Sequence, residues 1–141
     1  MPVIYEIIPE ENHMFVRYDG RVTNSEIADS FAEAQQNPEF RLDLAHLVDL
    51  TTADFSVLDF QKIFSLFNMY VRVHEGAGIK MRVSIYAPND TVFGMSRMFE
   101  NLAGTSDFFD VRIFDSLEAA REWAVNPDED EEDNSELEQS V

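Results

Sequence analysis

Cysteine is missing from all 141 residues of the chain. Its absence excludes a disulfide framework, a thiolate nucleophile and a thiol-bound zinc ion or iron–sulfur cluster. Positive charge is scarce as well. Lysine occurs only as Lys62 and Lys80 and arginine eight times, against 28 acidic residues, and the formal net charge is −18. A field of that sign repels phosphate backbones and anionic lipid surfaces, so neither nucleic acid nor a membrane is an expected partner. An acidic surface this poor in lysine suits a salt-rich solvent that screens the repulsion. Long apolar runs are lacking too. No stretch approaches the ~18 uninterrupted apolar residues of a membrane span, and MPVIYEIIPEEN has no basic segment leading into an apolar core. A cytoplasmic, soluble protein is the expectation. There is no glycine-rich phosphate cradle, no HExxH pair and no GxSxG elbow, and His13, His46 and His74 are scattered. No catalytic set, metal site or cofactor emerges, and the reading leans away from an enzyme.

A hydrophobic content of 45% in a chain of this length suits one domain with one core. The segment 127–141, PDEDEEDNSELEQSV, carries eight of the acids and no base. Self-repulsion and a lack of anything to bury predict a disordered acidic tail after a folded domain of residues 1–126.

Residues 3–8 and 13–18 are apolar-alternating runs separated by PEEN and read as a hairpin. The quartet Thr23-Asn24-Ser25-Glu26 has the spacing of a capping box, with a helix to about Gln36 that Asn37-Pro38 stops. A third strand over 45–50 is followed by a long helix from about Ser56 to His74, broken by Gly76-Ala77-Gly78. Strand 80–87, helix 91–103 with Gly104 as its C-terminal cap, strand 108–114 and helix 116–125 complete the chain. The order ββαβαβαβα predicts an α/β fold with a mixed, mostly parallel five-stranded sheet.

Alternation within the strands adds the layering. In 80–87, Met81, Val83, Ile85 and Ala87 point one way and Lys80, Arg82, Ser84 and Tyr86 the other. A strand covered on both sides would be apolar throughout, so helices are expected mainly on one face, the other being partly wet. The same split places Arg17, His46 and Arg112 opposite the apolar sides of their strands. Arg17, Lys80, Arg82 and Arg112 thus form a candidate basic sheet face. Cross-strand pairing with Glu6 and Asp110 is its simplest role; docking of the acidic tail is the other.

The stretches YDGRVTNSEI, HLVDLTTADFS, RVSIYAPNDTVFGMSRMFENL and VRIFDSLEAAREWA span nearly all of residues 3–125. With them the chain resembles the SpoIIAA-like family, relatives of the STAS domains of anti-sigma factor antagonists and sulfate transporters. The resemblance implies a SpoIIAA-like (STAS-like) fold with helices packed to one side and a regulatory, protein-interacting role. In anti-sigma factor antagonists a serine at the start of the helix after the third strand is phosphorylated, within an Asp-Ser-Ser-Gly type motif. Here that region reads TTADFSVLD without the Ser-Ser-Gly, and Ser56 is the candidate phospho-acceptor by place alone. A phosphoryl group there would gain from the helix dipole but meet Asp54 and Asp59. The simpler reading is that Ser56 or Asp54 caps the helix.

Loops at strand carboxyl ends supply Asp19, Arg21, Thr51, Thr52, Asp54, Asn89, Asp90 and Asp115. Their oxygens suit magnesium or calcium, but no loop-motif spacing is present, which favours turns and caps. The long helix says more. Phe60, Ile63, Phe64, Phe67, Tyr70 and Val71 form a broad apolar face, leaving a second shoulder of Leu58, Leu66, Met69 and Val73 that one sheet cannot also cover. Either the neighbouring helix covers it through Met95, Met98 and Phe99, or these seven residues are a surface for a partner or a small apolar ligand. The expected function is a non-enzymatic interaction or regulatory module acting on a protein partner or on a second copy of itself. Carriage or sensing of a small apolar ligand beside helix 56–74 is the alternative, and a phospho-switch at Ser56 a further one.

Overall fold

The computed structural model describes residues 2–126. The tail assignment for 127–141 lies outside them. Strand β1 (Val3–Ile8) turns through a short 3-10 segment at Pro9–Glu11 into β2 (His13–Arg21). The turn closes on Asn12, whose φ of 56° is left-handed and whose amide donates to the carbonyl of Pro9 (3.1 Å). Asparagine tolerates that conformation better than most residues. The remaining elements are α1 (Asn24–Gln35), β3 (Ala45–Asp54), α2 (Phe60–Ala77), β4 (Met81–Tyr86), α3 (Asp90–Ala103), β5 (Phe109–Phe114) and α4 (Leu117–Val125). This is the expected order. The five strands lie in one sheet in chain order, β1-β2-β3-β4-β5, with β1 antiparallel to β2 and every other pair parallel.

That order dictates the layering. Helices α1, α2 and α3 each connect a strand to its next parallel neighbour, and the sheet always grows in the same direction. Crossovers of the favoured right hand must then all fall on one side. The main core accordingly joins Ile27 and Phe31 of α1, Ile63 and Phe67 of α2 and Val92 of α3 to Met14, Val16, Val48, Leu50, Val83, Ile85 and Val111 of the sheet. Helix α4 follows the last strand and closes no crossover, so it is free to take the opposite face. There Ala120 and Ala124 pack on Ala45 and Leu47, and Ser84 Oγ donates to the Ala120 carbonyl at 2.7 Å. Helices thus lie mainly on one face, as expected, three of the four packing there, but the second face is less wet than alternation alone suggests.

Several boundaries move for local reasons. Strands β2 and β3 run on to Arg21 and Asp54 because one extra residue in β3 shifts the register between Arg17↔Asp49 and Asp19↔Thr52. The polar TTAD segment is therefore strand rather than turn. Helix α2 begins at Phe60, not Ser56. Its N-cap is Asp59, whose carboxylate accepts the amide of Lys62 at 2.9 Å. Ser56 instead sits in a turn and donates its amide to Asp54 (2.9 Å). Neither Ser56 nor Asp54 caps the helix. At the other end Gly78, at φ 69°, provides the left-handed residue that closes α2. Gly104 ends α3 in right-handed geometry, so a glycine is not required there. The capping box is present as read: Thr23 accepts from Glu26 N at 3.1 Å and Glu26 accepts from Thr23 N at 2.9 Å. No helix among the described residues is long and apolar enough to cross a membrane.

Candidate functional site

Between the sheet and the three-helix layer lies a cavity of about 90 Å³. Its floor is apolar sheet: Met14, Val16, Val48, Met81, Val83 and Ile85. Its roof comes from Phe31 of α1, Ile63, Leu66 and Tyr70 of α2 and Met95 and Phe99 of α3, with Phe55 and Leu58 closing the end near the start of α2. Aromatic rings meet edge-on in the helical layer above it. Tyr70 lies T-shaped against Phe31 (5.0 Å) and Phe99 (6.1 Å), and Phe67 against Phe99 (6.4 Å). Interiors normally close such gaps.

The polar groups of the wall are few. Ser96 is satisfied internally, its Oγ donating to the Val92 carbonyl (2.7 Å). His46 is not. It is 5% exposed, lines the cavity, and its Nε2 has no hydrogen-bond partner among the described residues. Burial, and secondarily the neighbouring His74, push its pKa down to about 3, so the ring is neutral across the physiological range. His74 is fully buried, and its Nδ1–H donates to the Tyr70 carbonyl at 2.9 Å, which leaves Nε2 as the lone-pair nitrogen. Burial lowers its pKa too, and that hydrogen bond opposes the effect. Both imidazoles pack on the Phe31 ring at 6.0 Å. Tyr18 and Tyr70 also face the cavity, and burial holds both phenols above their usual range, Tyr70 further so beside Tyr18.

This arrangement corrects one assignment. His46 was expected on the side of Arg17 and Arg112, yet it pairs with Met14 and Val83, which face the main core. The first polar residue of a strand is a poor guide to its face when, as in β3, both sides are dry: Leu47 is 2% and Val48 8% exposed.

Of the seven residues on the anticipated ligand or partner surface, the structure brings Leu58, Leu66, Met95 and Phe99 together around the cavity. Met69, Val73 and Met98 are partly buried against the same core without reaching it. The shoulder of α2 is therefore largely interior, and α3 covers it. The exposed apolar surface is the part of α2 expected inside: Phe60 and Phe64 are 53% and 43% exposed and stack on one another at 6.0 Å. The buried arc of α2 runs through Ile63, Leu66, Phe67, Tyr70 and His74. The helix is rotated so that His74 faces inward, and that rotation lifts Phe60 and Phe64 out.

The four residues of the anticipated basic face separate. Trp123 of α4, 1% exposed, has the Arg82 and Arg112 guanidinium carbons over its ring at 4.8 and 4.7 Å. Asp110 lies between the two arginines, 3.7 Å from Arg82 and 3.9 Å from Arg112. Arg17 and Lys80, by contrast, are exposed. Glu6 is exposed opposite Phe15. Among the strand-end loops, Asn89 caps α3 by accepting from Val92 N (3.1 Å). Within β3, Asp49, not anticipated at all, accepts from both the amide (2.9 Å) and the hydroxyl (2.6 Å) of Thr51. Among the described residues no group of three His, Asp or Glu side chains is placed to hold a metal ion. Ser56 is exposed, and the α2 terminus that would have stabilised a phosphoryl group is already occupied by Asp59.

No family model matches the chain, and neither a curated protein nor a solved structure matches it.

Proposed function

We propose that this domain is a non-enzymatic binding module whose working part is the cavity beneath α2 and α3, holding a small, mainly apolar molecule. The observation that carries the reading is a space of about 90 Å³ between the sheet and the helices, lined almost wholly by apolar side chains. Unfilled apolar space is unfavourable, and an apolar occupant would fill it. The thioethers of Met14, Met81 and Met95 line the space and repack at little cost, as an adaptable site requires. The SpoIIAA-like type remains our reading of the fold, supported by the element order and by three helices gathered on one side.

Val83→Leu tests this. It adds one methylene on the cavity floor, so it is expected to stabilise the domain by roughly 0.8 kcal/mol and to abolish the methyl shifts that xenon induces around Leu66 and Ile85. If Leu at this position is destabilising by about 1–3 kcal/mol, as overpacking would be, and xenon shifts nothing in the wild type, the cavity is not a site.

A second reading, association with a protein partner or a second copy, is favoured by one observation. Phe60 and Phe64 form an exposed aromatic pair, and Phe93 of α3 is 45% exposed. Phe64→Glu should then lower the sedimentation coefficient of the full chain at high concentration without changing its stability. Identical monomeric sedimentation of both proteins would remove self-association.

A further inference from the structure

The two edges of the sheet are built differently. Strand β1 follows Pro2 and ends against Pro9, and proline is one of the usual guards of an open edge. Strand β5 has no proline, runs in unbroken register with β4 and borders no other strand among the described residues. Its open side follows from the ladder. The carbonyls of Phe108 and Phe114 accept from Met81 (2.9 Å) and Ala87 (3.2 Å) on the β4 side, and successive residues of a strand turn their backbone groups to alternate edges. Phe109, Val111 and Ile113 therefore aim their amides and carbonyls outward, where no described strand receives them.

An open edge accepts many extended chains, but the order FDVRIF selects one. Laid antiparallel to itself about Val111, β5 sets the outward groups of Val111 against those of the partner's Val111, and those of Phe109 against those of the partner's Ile113. These are hydrogen-bonded pairs. Between them Asp110 falls opposite the partner's Arg112 and Arg112 opposite the partner's Asp110, in the closer, non-hydrogen-bonded pairs with Cα atoms about 4.5 Å apart. The neighbouring registers are worse. Centring on Asp110 brings two aspartates face to face and centring on Arg112 two arginines, and like charges directly opposite are destabilising. A shift of one residue sets outward groups against inward ones and makes no ladder. Within one chain Asp110 stays 3.9 Å from Arg112, too far for a hydrogen bond.

We propose that β5 is a docking edge for a second copy of this chain, giving a two-fold dimer whose sheet continues through Val111 into the partner's β5. The contact is the same patch on both copies, so it closes at two. The net charge of −18 opposes the approach. At physiological salt that repulsion is screened beyond about 8 Å, whereas the cross-strand ion pairs act within this distance.

Charge exchange tests the register in sedimentation of the full chain. The wild type should reach a dimer and go no further. Arg112→Glu places two acids at each cross-strand pair and Asp110→Lys two bases, and either alone should weaken the dimer by at least about tenfold. An equimolar mixture of the two variants has opposite charges at both pairs again and should dimerise. A monomeric wild type, or assembly that continues past the dimer, overturns the proposal. So does a dimer that neither variant weakens, as association through Phe60 and Phe64 would give, or a mixture that stays monomeric. Should a variant fail to fold, amide exchange in the wild type decides. The amides of Phe109, Val111 and Ile113 should gain protection as the protein concentration rises, and exchange independent of concentration overturns the dimer.

Discussion

Trp123→Ala is expected to lower the unfolding free energy by about 3–5 kcal/mol, the usual loss for removing a fully buried large aromatic. Trp123 is the only tryptophan of the chain and the largest fully buried side chain. Its ring does more than fill space. It lies under two guanidinium groups and beside Phe114 at 6.1 Å. Each cation–π contact is worth roughly 0.5–1 kcal/mol where partly exposed, and both Arg82 and Arg112 would lose that aromatic face. Trp123→Phe keeps an aromatic face for both arginines and should lose clearly less. Urea denaturation followed by circular dichroism measures all three proteins without relying on the missing fluorophore. A Trp123→Ala loss below about 1 kcal/mol would mean that α4 does not hold the second face of the sheet.

Acid should find a second weakness, at His46. An ordinary histidine titrates near 6.5, whereas in the folded protein His46 is held down at about 3. As the pH falls below 6.5 the unfolded chain takes up the proton and the folded one does not. Stability is then lost at up to about 1.4 kcal/mol per pH unit. The loss continues until the folded pKa is reached. Between pH 7.5 and pH 5.0 it amounts to about 2 kcal/mol from this one group. Carboxylates titrate as well, and their contributions are common to wild type and His46→Leu; the charge coupling of His46 to His74 is lost with the imidazole and is part of the measured difference. The difference between the two proteins isolates His46. It should shrink by about 2 kcal/mol over this range, the wild type losing more. Parallel pH profiles would show that the imidazole is not buried in neutral form.

Much of the frame was legible because it is written locally. Thr23 and Glu26 sit at capping-box spacing and form that box, and the alternation Met81, Val83, Ile85 identifies the face of β4 that meets the main core. What escaped depends on residues far apart in the chain. Nothing in TTAD says strand until the lengthened β2 offers Asp19–Arg21 as a partner. The apolar stripe of α2 is wide enough to admit two rotations, and the choice between burying Phe64 and burying Leu66 and His74 is made by α1 and α3, not by α2. Arginine in alternation with apolar residues reads as a wet face. Trp123, about forty residues beyond Arg82 and eleven beyond Arg112, makes it a stacked one. The cavity was visible only as a group of residues, Leu58, Leu66, Met95 and Phe99, with no place to go. Its floor and its histidine come from the sheet, and an unfilled volume has no signature in any one segment.

The strands are laid side by side in the order in which they are translated. An emerging chain therefore never has to hold a gap open for a strand not yet made, since each new β-α unit finds its docking edge already built by the one before. Growth from the β1–β2 hairpin proceeds like courses of brick laid at one edge, β1 remaining the opposite edge throughout, and α4, the last helix, comes down on the far side after the fifth course is in place.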